Sequence, residues 1–119
     1  MAKENKLTVK DFFCKLAENK NFVFAVGHTN SFKKDVKLCY KQNLDLNELY
    51  IIIEKLATAQ PLEAKNKLHT LVGFAAKKSG EEIRECHIAN DWVLIWVENK
   101  SELVLIFTDT GTHAHALKM

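Results

Sequence analysis

Residues 83–88, 92–97 and 103–108 are three β-rich runs, separated only by Ala89-Asn90-Asp91 and by Glu98-Asn99-Lys100-Ser101-Glu102. Connections this short cannot cross over a sheet, so the three runs must turn back on one another as antiparallel neighbours. The rest of the chain has to be arranged around that meander.

Upstream, the apolar spacing changes from strand-like to helical. Residues 8–19 read as a helix, with Thr8 as N-cap, Asp11 three residues on, and Val9, Phe12, Phe13 and Leu16 on one face. Leu7 and Phe12 can form a hydrophobic staple across that cap. Residues 22–26 form a short β-rich run ending at Gly27, the length of a buried strand. Ser31 is a candidate cap for a second helix, whose apolar face is Phe32, Val36, Cys39 and Tyr40, while Lys33, Lys34, Lys37 and Lys41 fall elsewhere. Asp45 and Glu48 resemble a capping pair for a third helix, and its Leu49, Ile52, Ile53 and Leu56 should bury against the sheet. Gln60-Pro61 ends it. Residues 61–81 lack clear periodicity and read as a long loop with at most a short helical turn, a length that is usually functional or mobile. The order is helix, strand, two helices, three strands: an α+β domain with a mainly antiparallel sheet of four strands.

With 119 residues and 47% apolar side chains, the chain can build one modest core. Its apolar runs are far shorter than the roughly 20 residues of a membrane helix, so no membrane association is expected. The N-terminus does not resemble a secretory signal, and a cytoplasmic location is the default. Cys14, Cys39 and Cys86 are odd in number, widely spaced and without a Cys-x-x-Cys pair, which argues against a disulfide framework or a thiolate zinc site and for reduced core residues. Net charge is only +2, and residues 31–119 balance twelve Lys/Arg against twelve Asp/Glu, so bulk charge gives no strong attraction to nucleic acid.

Chemistry is concentrated in the histidines. His69 lies in the long loop, His87 near the end of a strand and His113 just beyond the last strand; His28 and His115 complete the set. Because antiparallel strands turn back on one another, side chains near matching ends can converge. Cleaving RNA without a metal needs a base for the 2′-hydroxyl proton, an acid for the leaving 5′-oxygen and positive charge for the phosphorane, and imidazole can serve in each role. Arg84 could clamp a phosphate, and Asp91 or Glu85 could fix an imidazole tautomer or join proton transfer. Other readings compete. His113-x-His115 could bind a metal, although neither thiolates nor a compact third ligand accompany it. The stripe Lys33, Lys37, Lys41 is by default a solvated helix face, and Trp92 and Trp96 are more often core than stacking platforms.

Four blocks resemble the RelE-like toxins of bacterial type II toxin–antitoxin systems, and within them the YafQ branch. They are Ser31-Phe32-Lys33-Lys34-Asp35-Val36-Lys37-Leu38; Leu68-His69-Thr70-Leu71-Val72-Gly73; Arg84-Glu85-Cys86-His87-Ile88-Ala89-Asn90-Asp91-Trp92; and Thr110-Gly111-Thr112-His113. The resemblance implies a RelE-like α+β fold, two helices on one side of the sheet, over residues 21–119, with residues 1–20 as an extra N-terminal helix. It implies a metal-independent endoribonuclease without cofactor, cutting mRNA at the ribosome and silenced by a cognate antitoxin. By position, His69, His87 and His113 would be its acid–base and phosphate-stabilising residues, assisted by Asp91 and Glu85. Arg84, Lys33, Lys34, Lys37, Lys41 and Thr112 would contact RNA. Asp109 stands where such toxins usually have arginine, and Leu117 where they usually have an aromatic residue. Asp109 keeps an alternative open: a catalytically weak or silent RelE-like module that retains partner binding.

Overall fold

The structure, a computed structural model, describes residues 7–71 and 80–116. Its sheet has five strands in the order β1-β5-β4-β3-β2. β3 (Glu81–Ala89), β4 (Trp92–Asn99) and β5 (Val104–Gly111) are the expected meander. β1 (Ala25–His28) runs parallel to β5, and β2 (His69–Thr70) runs antiparallel to β3. The expected four-stranded sheet is thus corrected to five. β2 is two residues long, too short for a sequence period to reveal, and it lies where a loop was expected. Val72, Gly73, the lysine pair at 77 and 78, Ser79 and Leu117 fall outside the described residues.

The helices are α1 (Val9–Glu18), α2 (Asn30–Lys41), α3 (Leu46–Ala57) and the short α4 (His113–Ala116). Thr8 caps α1 as expected, its Oγ1 accepting from Asp11 N at 3.1 Å. α2 is capped by Thr29, not Ser31: the Thr29 hydroxyl accepts from Phe32 N, so the helix begins two residues earlier. β1 also starts later than residue 22, because Val23 N and Phe24 N donate to Ala57 O at the end of α3 instead of to a strand.

One face of the sheet carries the main core. Phe12 and Leu16 of α1, Phe32, Val36 and Cys39 of α2 and Leu49 and Ile53 of α3 pack with Cys86, Trp92, Leu94, Trp96 and Phe107. Both tryptophans are core residues, as their shared strand face implied. Burial pushes the Cys39 thiol up to about 11 and the Cys86 thiol up to about 12, with the charges of Asp35 and Glu85 adding to the effect. Cys14 departs from expectation, since it is exposed on α1. The opposite face has a smaller core of Val93, Ile95 and Ala116, with Leu71 and Ile83 against it. This second face carries His69, His87 and His113.

Candidate active site

Strand register brings the site together. His69 pairs with Glu85, Glu85 with Ile95 and Ile95 with Asp109, a row running across four strands. His87 pairs with Val93 and Val93 with Gly111 in the adjacent row on the same face. Side chains alternate along a strand, so Arg84 and Cys86 point to the other face. β5 ends at Gly111 beside this second row, and His113 follows as the first residue of α4. Asp91 lies in the β3–β4 turn next to it.

Glu85 is the buried floor, with 2% of its surface exposed. Its Oε1 lies 3.0 Å from His69 Nε2 and its Oε2 lies 3.5 Å from His113 Nε2. His113 Nδ1 lies 3.4 Å from Asp91 Oδ1, and the His113 backbone N–H donates to that same oxygen. The ring of His87 meets that of His113 edge-on, with centroids 4.9 Å apart. Both nitrogens of His69 face acceptors, Glu85 on one side and Lys67 O at 2.8 Å on the other. The imidazoles are partly exposed above the buried carboxylate, so the surface is open to a polymer strand. Glu85, His87 and His113 also offer one ligand atom each within 4.8 Å of one another, a set that can gather on a divalent cation.

The structure therefore brings His69, Glu85, His87, Asp91 and His113 together. It does not bring Arg84 to them: Arg84 Nη1 lies 3.7 Å from Glu98 Oε2 on the opposite face. Lys33 and Lys37 line a groove of about 650 Å³ between α1 and α2, with Val9, Phe13 and His28. Thr112, next to His113, lines a small cavity with Leu38, Gln42 and His115. Asp109 shares the site face, two strands from Glu85, or about 10 Å at ordinary strand spacing.

Sequence reasoning missed two supporting groups. Asn66 is buried in a 3-10 turn (Ala64–Asn66), donates from Nδ2 to His87 O at 2.8 Å, and accepts from Glu63 N. Lys67 follows in the left-handed region at φ 49°, and the chain then enters β2. Asp35 of α2 is the other, and it holds the backbone N–H of Thr110 and the ring of His115. A buried Asn in a stretch without periodicity carries no sequence signal. A lone Asp on a lysine-rich helix carries none either.

The described residues thus form a small α+β domain whose mixed sheet presents three imidazoles beside a buried carboxylate on one face. The profile of the YafQ family, described as a bacterial toxin of type II toxin–antitoxin systems, matches residues 24–118, and the chain belongs to that family. It is 34% identical over 90 residues to the mRNA interferase toxin YafQ of Escherichia coli K12, which spans 75% of this chain and 90% of the relative. Among solved structures it resembles a metal-bound toxin from Helicobacter pylori, at 34% identity and a TM-score of 0.67, covering 77% of this chain and 97% of that one. It also resembles E. coli YafQ in complex with the DinJ antitoxin, at 34% identity and a TM-score of 0.63, covering 76% and 93%. No helix among the described residues is long and apolar enough to cross a membrane.

Proposed function

We propose that the chain is an endoribonuclease toxin that cleaves mRNA on the ribosome by histidine acid–base chemistry. The observation that carries this reading is the convergence of His69, His87 and His113 around Glu85 and Asp91 on one open face. The 2′-oxygen of the substrate attacks phosphorus while one imidazole takes its proton, and a second gives a proton to the departing 5′-oxygen. The products are a 2′,3′-cyclic phosphate and a 5′-hydroxyl. We assign His113 and His87 to the proton transfers, since their rings are adjacent and Asp91 and Glu85 flank both nitrogens of His113. We assign His69, which faces acceptors at both nitrogens, to the negative phosphorane.

The family and the DinJ complex of its E. coli relative support a cognate antitoxin as the protein partner, and the proposed action on ribosomes implies a cytoplasmic site of action. Induced expression should arrest growth and leave mRNA cut in coding regions, and His113→Ala should abolish both. Growth and intact transcripts under wild-type expression would refute the reading.

Asp109 motivates a second reading, a weakly active module that mainly binds its partner, because an acid on the site face repels incoming phosphate. Asp109→Arg should then raise cleavage, by up to the roughly 10²- to 10³-fold that one donor to a developing charge supplies. No gain in the rate of transcript cleavage would remove the support for this reading.

A further inference from the structure

We propose that His115 and Asp35 form a positioning pair that places His113 for catalysis, an inference that rests on reading the imidazole cluster as the cleavage site. α4 is four residues long, and Ala116 N donates to Thr112 O at its start at 2.8 Å. A turn this short does not hold its own conformation, so its direction comes from outside contacts. Ala116 is one anchor, packed on Val93 and Ile95. His115 is the other.

His115 Nε2 donates to Asp35 Oδ1 at 2.7 Å, and Asp35 Oδ2 accepts from Thr110 N at 3.1 Å. Asp35 is 5% exposed, so the two bonds are made by a buried carboxylate and are of the strong, charge-assisted kind. One side chain of α2 thereby fixes the end of β5 and the body of α4 against each other. Gly111 completes the fit. It has φ +136°, and a Cβ there would stand 3.1 Å from His115 Cδ2, so only glycine lets the imidazole lie over the strand end. Two residues apart on a helix, side chains differ by about 200° in direction. His115 is therefore turned to α2 while His113 is turned to Glu85 and Asp91.

The test compares wild type, His113→Ala, His115→Ala and His115→Gln for cleavage of ribosome-bound mRNA and for thermal melting. His115→Ala should lower kcat about tenfold or more with KM nearly unchanged, the scale of a displaced catalytic group. His115→Gln, whose amide nitrogen reaches the place of Nε2, should keep most of the activity. A second readout needs no RNA: in the imidazole nitrogen NMR spectrum, His115→Ala should move the His113 signals and leave those of His69 in place. Full activity with unmoved His113 signals would overturn the pair, and so would a glutamine variant as impaired as alanine. If wild type does not cleave, the cleavage reading fails, while the NMR comparison still decides whether His115 places His113.

Discussion

Glu85 does the most at the scale of single residues. A carboxylate with 2% exposure is tolerated only when neighbours offset its lost hydration; His69 Nε2 does so at Oε1, while the buried Oε2 has no hydrogen-bond partner among the described residues and faces His113 Nε2 at 3.5 Å. Glu85→Gln keeps the shape and removes the charge. It should lower the cleavage rate by about 10²- to 10⁴-fold, the range of an acid–base contribution, while the melting temperature stays near wild type; single-turnover kinetics and a melting curve together check this. The residue types were legible. Histidines and acids near matching strand ends are visible once the meander is inferred, and all five of them converge. Arg84 was not legible in the same way, because adjacency in sequence to Glu85 means opposite faces in a strand. His115 and Asp35 are 80 residues apart, and nothing local links them.

At the scale of elements, the long apolar patterns were readable and the short ones were not. The three helices and the meander occur where periodicity places them, with ends moved by particular hydrogen bonds such as that of Thr29 to Phe32. The turn before β2 is held by hydrogen bonds of Asn66. Asn66 links that turn to β3 through His87 O, so it sets the spacing of the two strands that carry His69 and His87. Asn66→Ala would leave a part-buried carbonyl without this donor and should cost about 1 kcal/mol, read from denaturant unfolding, together with a fall in cleavage larger than its effect on RNA binding. An equal loss in both would show that the turn acts on binding alone.

Over the whole molecule, the sheet separates two jobs. One face and three helices provide the main core, and the other face presents the site above a small apolar cluster. α1 lies outside the family-matched residues 24–118, yet Phe12 is fully buried in the main core and Leu16 nearly so. The helix is thus structural as well as added. Phe12→Ala should destabilise the fold by about 3–5 kcal/mol, a large part of the 5–15 kcal/mol typical of a domain, which a shift in the urea midpoint would register. An unchanged midpoint would mean that α1 is dispensable to the core.

The claim beneath all of this is that the imidazole cluster performs metal-free phosphodiester cleavage. Its most direct test is the chemical identity of the new 3′ end when purified protein cuts ribosome-bound mRNA. A 2′,3′-cyclic phosphate that disappears with His113→Ala is the predicted result. A 3′-hydroxyl, or a cyclic phosphate that persists in His113→Ala, would contradict the account.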